Sequence, residues 1–259
     1  FNRIAIQIAK QVIIQKIKSD SKIIGKMKNT YPQLKFITDF TEEYKFIKEK
    51  YDDAMQKIGK ERFAFIVNYN IPNASHKNKS IFKKNIKQYL KTNEKVICSD
   101  IKKSSITIKK KWRKAETSFF KQMENSTGIA WQHNKYNLYL LFSCFWGGDY
   151  DETQPNVYIN PLLKQGDSLY IIMHELSHIL YWEHIYKTYS KTFIRKNKKI
   201  LWKLSEVMVN YPLLNIKVGI KVPMVIPPDI KQYGSKLVKK FSQFSYIDII
   251  NGEIERARR

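Results

Sequence analysis

Apolar positions fall at two spacings along this chain, and the spacing assigns most of its elements. Over residues 41–60 Tyr44, Phe46, Ile47, Tyr51, Ala54 and Ile58 mark one side of a helical repeat, with Thr41 as cap and Glu42 and Glu43 in the first turn. Residues 106–125 repeat the pattern with Trp112, Ala115, Phe119, Phe120 and Met123, and Gly128 lies beyond the end. Residues 1–18 carry β-branched apolar positions at mixed spacing and are read as helix; residues 81–90 read as a second short helix. Short apolar runs predict strands at 63–67, 96–101, 136–145 and 157–159, with a Gly-Gly-Asp loop between the last two. The polar stretch 68–80, with Pro72 and a lysine run, is the expected subdomain boundary region.

Two further segments are helical. Residues 167–185, DSLYIIMHELSHILYWEHI, are apolar on nearly every side of a helix, which implies burial. Residues 196–212 read as a helix halted before Pro212. The expectation is an α+β chain, with a mostly helical α/β region over 1–103 and a second domain over 104–259.

Charge adds a possible partner without changing that picture. Lysine and arginine number 47 against 23 acidic residues, a net +24, so an anionic partner such as nucleic acid or a lipid surface has to be considered. The lysines are spread from Lys10 to Lys240 with no glycine-rich or RNA-binding signature around them, which leaves a basic nucleic-acid-binding or other binding protein as the alternative function. Cys98 and Cys144 are too far apart for a zinc ribbon and too few for a disulfide scaffold, and are read as free thiols. No apolar run reaches membrane-spanning length, so the chain reads as soluble. It opens at Phe1 without methionine, which leaves a preceding targeting segment open; cytoplasmic is the expected compartment.

The chemistry sits in the buried helix. His174, Glu175 and His178 form H-E-x-x-H, and residues four apart share a helix face, so the two imidazoles can converge on one ion. Glu175 lies about 100° round the helix from His174. From there it flanks the ion and can take a proton from a water held beside it, as a general base. The alternative is a core helix whose histidines are satisfied by hydrogen bonds.

A catalytic zinc needs a third protein ligand and an open position. His184 completes HELSHILYWEH, the spacing of the metzincin pattern, but Tyr181 stands where that pattern has its chain-turning glycine. On an uninterrupted helix His184 points about 240° away from His178. The second candidate is Glu206, flanked by Trp202, Val209 and Asn210; its plainer reading is an ion pair with Lys203 or Lys199.

The HELSH helix followed by a helix carrying ExxxN at Glu206 and Asn210 resembles the gluzincin metallopeptidases, the thermolysin-like branch of the zincins. The resemblance covers roughly residues 106–212. It implies a zincin-like domain with a small mixed sheet and two ligand-bearing helices, hydrolysing peptide bonds of a peptide or protein substrate with Zn2+. It implies His174, His178 and Glu206 as ligands and Glu175 as base. Asn210 stands where the family has an aspartate that orients a ligand histidine. In that family substrate pairs with the sheet edge nearest the cleft, a role for either 136–145 or 157–159. The family's oxyanion-stabilising His or Tyr has no histidine candidate beyond His184, leaving tyrosine or arginine, with Tyr211 and Tyr233 foremost and Tyr246 and Arg256 also open.

Overall fold

The computed structural model describes residues 31–54, 79–145, 147–162, 168–216, 240 and 244–258. The expected elements at 1–18 and 63–67, and most of the loop 68–80, lie outside them.

The fold is mixed α/β, built on a four-stranded sheet. Strand β1 is Gln33–Ile37, β2 Lys135–Leu140, β3 Gly148–Tyr150 and β4 Asn156–Ile159, in the order β1-β2-β4-β3. The first three in that order run parallel and β3 closes one edge antiparallel. Among the described residues β2 and β4 are interior strands, which corrects the expectation that 136–145 or 157–159 forms the edge. The edge beside the buried helix is β3, drawn from the segment read as a Gly-Gly-Asp loop. Two of its three residues, Gly148 and Asp149, are poor strand formers, and the strand is held by the register Gly148↔Ile159, Asp149↔Tyr158, Tyr150↔Val157.

Helix α1 is Thr41–Ala54 and α2 is Lys79–Thr127, 49 residues and so roughly 73 Å long. The strand expected at 96–101 is part of α2. Ile97 and Ile101 are buried four residues apart, and the stripe from Ile86 and Leu90 through Ile108 and Trp112 to Met123 keeps one helical period, while Val96 faces solvent. A boundary at 103/104 therefore falls inside one helix, within the compact unit Pro32–Arg259.

The strand read as 136–145 ends at Leu140 for a visible reason. Leu141 still donates its N–H to Ile159 on β4 at 2.8 Å, and the Glu43 side chain, on α1 and 1% exposed, then accepts the backbone N–H groups of Phe142 at 2.6 Å and Ser143 at 2.8 Å. Groups bound there cannot continue a ladder. Burial pushes the Glu43 carboxyl up to about 7, against the pull of these same hydrogen bonds.

Helix α3, Ser168–Thr188, lies under β3 and β4 and against α2 and α4, Lys191–Met208. Thirteen of its residues are buried. It runs through Tyr181, whose ring is fully buried and whose hydroxyl donates to the Leu201 carbonyl on α4 at 3.1 Å. Ser190 caps α4 by accepting the Phe193 N–H. The chain does not halt before Pro212: α4 ends at Met208 and a short helix, α5, runs Asn210–Asn215 with the proline in its first turn, where its missing N–H costs nothing. The last helix, α6, is Tyr246–Arg258 and packs on α4.

Backbone groups along β3 alternate in direction. Asn160 donates its N–H to Gly147 at 3.0 Å and Asp151 to Asn156 at 2.9 Å, so alternate residues from 147 to 151 turn their backbone groups toward β4. Gly148 and Tyr150 turn theirs to the other edge, which no strand covers among the described residues. There the Lys50 ammonium on α1 donates to the Tyr150 carbonyl at 3.2 Å, and the Tyr150 N–H donates to the Asp149 carboxylate at 2.8 Å.

Candidate metal centre

Three of the residues singled out in the sequence converge. Nε2 of His174 and Nε2 of His178 stand 3.2 Å apart, and Oε1 of Glu206, on α4, is 3.7 Å from Nε2 of His178. One ligand-type atom from each lies within 4.8 Å of those of the other two. Helix periodicity supplies the first pair, one turn apart on α3. The packing of α4 against α3 supplies the third.

The surroundings are partly to fully buried. His178 is 1% exposed, and Nδ1 of His174 is buried with no hydrogen-bond partner among the described residues. Burial pulls the His174 imidazole down to about 4, so it is neutral at neutral pH with a lone pair to offer. The Tyr150 ring lies flat on the His178 ring, centroids 4.6 Å apart and planes at 9°. Its hydroxyl accepts from the Trp182 indole N–H at 2.9 Å. Burial, with the carboxylates of Glu206 and Glu175 nearby, raises the Tyr150 phenol well above its ordinary value and keeps it protonated.

Glu175 is 8% exposed and points at the edge strand. A Cβ built on Gly148 would stand 2.4 Å from Oε1 of Glu175 and 2.6 Å from Cγ2 of Ile171, so only glycine lets β3 lie this close to the helix.

Asn210 accepts from the Tyr170 hydroxyl at 3.3 Å and donates to the Glu206 carbonyl at 2.7 Å; it sits on α5, not on the helix that bears Glu206. The Tyr170 ring in turn lies beside His174, centroids 5.7 Å apart. His184 is outside the three-residue group, on a helix that runs on to Thr188, and its Nε2 is buried without a hydrogen-bond partner among the described residues. Tyr211 is the second residue of α5, and Tyr233 lies outside the described residues.

Sequence reasoning missed Gly148 and Tyr150. A Gly-Gly pair two residues before an aromatic was the available signal, and it reads more readily as a turn. Comparison of the chain with protein-family models, with curated proteins and with solved structures finds no match in any of the three.

Proposed function

We propose that this chain is a zincin-type zinc metallopeptidase, gluzincin-like in its ligand set, in which His174, His178 and Glu206 hold Zn2+ and Glu175 moves the proton in peptide-bond hydrolysis. The observation that carries the reading is the convergence of two imidazole nitrogens and one carboxylate oxygen beside a buried second glutamate. Two ligands each about 2.0–2.1 Å from a tetrahedral zinc stand about 3.3 Å apart, close to the 3.2 and 3.7 Å separations measured from His178, and all three ligand atoms lie within 4.8 Å of one another. Three protein ligands leave a fourth position open, which distinguishes a catalytic from a structural site. When bound, zinc supplies a Lewis acid that polarises a carbonyl oxygen and acidifies water.

The protein's own share of the chemistry follows from placement. His174, neutral through burial, offers its lone pair at neutral pH. The Glu175 carboxylate, turned toward Gly148, is in position to accept a proton from the attacking water and return it to the leaving amine. An extended peptide pairing with the outward backbone groups of Gly148 would lie directly over that carboxylate. Tyr211 and Tyr233 stay as candidates for hydrogen-bonding the developing oxyanion.

One observation favours the other reading. A cleft of about 550 Å³ between α1 and α2 is lined by Tyr44, Lys83, Lys84, Lys87 and Lys91, a setting suited to a polyanion. The deciding experiment is metal content and peptide hydrolysis of the purified full chain. Zinc near one per chain, with hydrolysis abolished by a chelator and restored by zinc, is expected. Absence of zinc together with salt-sensitive retention of nucleic acid would overturn the peptidase reading.

A further inference from the structure

Tyr150 occupies the point where the edge strand meets the candidate centre. Residues two apart on a strand share a face, so the strand that sets Gly148 against Glu175 also turns the Tyr150 side chain onto α3. Its ring lies over His178 with centroids 4.6 Å apart and 9° between the planes, an offset stack on the imidazole face. The Tyr150 hydroxyl is tied to Trp182 Nε1 at 2.9 Å, and Trp182 is fully buried one turn beyond His178. Above the indole, 4.4 Å from its centroid, stands the ammonium of Lys198 from α4, which also pairs with Glu152 just past β3. The tyrosine is thereby tied directly to α3, and α4 bears on it indirectly, through the Lys198 ammonium over Trp182.

A histidine ring needs this kind of support. Its second side-chain torsion is broad and roughly two-fold, so the backbone of α3 alone does not choose the direction in which Nε2 points. A flat neighbour in contact with the ring face blocks rotation, because any swing of the imidazole drives its edge into the phenol.

We propose that Tyr150 is a positioning residue for His178: by stacking on the imidazole it holds Nε2 toward His174 and Glu206, and so sets the affinity of the centre for its metal. This rests on the zinc reading of that site.

The test uses the full chain with isotope-labelled histidine, metal-free, and cobalt(II) as the metal probe. In the metal-free wild type the ring protons of His178, assigned by their loss in His178→Gln, should be shifted upfield by the tyrosine ring. The shift should persist in Tyr150→Phe, which keeps the stack, and vanish in Tyr150→Leu. Cobalt affinity, read by competition with a chromophoric chelator, should stay within about twofold of wild type in Tyr150→Phe and fall about ten- to a hundredfold in Tyr150→Leu, the range for loss of a group that orients a ligand. A Tyr150→Leu protein that is folded by circular dichroism and binds cobalt as wild type does would overturn the proposal. So would absence of the upfield shift in wild type, a result that needs no variant to fold. A wild type that shows the shift but binds neither cobalt nor zinc overturns the zinc reading, and the positioning role with it; the shift separates that failure from loss of the stack.

Discussion

Replacing Gly148 by alanine adds one methyl group where β3 lies closest against α3 side chains, at Glu175 and Ile171. The added carbon would sit about 1 Å inside ordinary contact with both the Glu175 carboxylate and the Ile171 methyl. The carboxylate can rotate away, being the end of a flexible side chain. The Ile171 methyl cannot, because it springs from the β-carbon of a helix packed on several sides. Relief thus requires β3 to lift by the better part of an ångström as well as Glu175 to turn. Overpacking of this kind costs about 1–3 kcal/mol, which for a chain of this size corresponds to a Tm lower by about 2–12 °C. If the proposed peptidase reading holds, turnover should fall further still, since a displacement of about 1 Å between reacting groups can cost about a hundredfold in rate. Zinc should be retained, because His174, His178 and Glu206 are not among the groups the methyl would strike. Differential scanning fluorimetry, metal analysis and peptide hydrolysis read the three quantities separately. A Gly148→Ala protein with wild-type Tm and wild-type turnover would refute the close approach of β3 to Glu175.

Further expectations come from the same geometry. Glu175→Gln should keep fold and zinc while losing turnover, because the amide cannot accept the proton; loss of zinc in that variant would make Glu175 a ligand. Glu206→Ala should release zinc to a mild chelator whereas His184→Ala should hold it, since His184 leaves α3 away from the three-residue group; the reverse outcome would sink the assignment of the third ligand. Glu43, with its carboxyl raised to about 7 from 4.5, keeps a proton in the folded state where the unfolded chain has lost it, so its contribution to stability is full below about pH 4.5 and is lost as pH rises through 7. Chemical denaturation of wild type against Glu43→Gln at intervals from pH 4.5 to 8 should show that slope disappear in the variant, and parallel curves would contradict it.

The parts of this molecule governed by helical spacing were legible in the sequence. α1, the second half of α2, α3 and α4 follow from apolar positions three and four apart, and the pairing of His174 with His178 needs nothing but one helical turn. What could not be read depends on contacts between segments far apart in the chain. Val96 and Ile97 carry strand-like composition, yet the helix on either side continues through them because Ile97 and Ile101 keep the buried stripe. The end of β2 is set by Glu43, a hundred residues earlier. β1 and β3 are strands by virtue of their neighbours, and Gly148 and Tyr150 gained their places only once β3 was laid against α3. Glu206 was legible as a candidate, while its 3.7 Å approach to His178 is a product of helix packing.

The open edge of the sheet also limits what this protein can do to itself. A bare strand edge is a template on which a second copy can extend the sheet. Here Lys50 and Asp149 occupy the carbonyl and N–H of Tyr150, so a visiting strand that reaches past Gly148 meets an ammonium and a carboxylate in place of two hydrogen-bonding partners. A strand from a second copy laid along this edge would find both of those groups already engaged, which works against growth of the sheet by addition of strands.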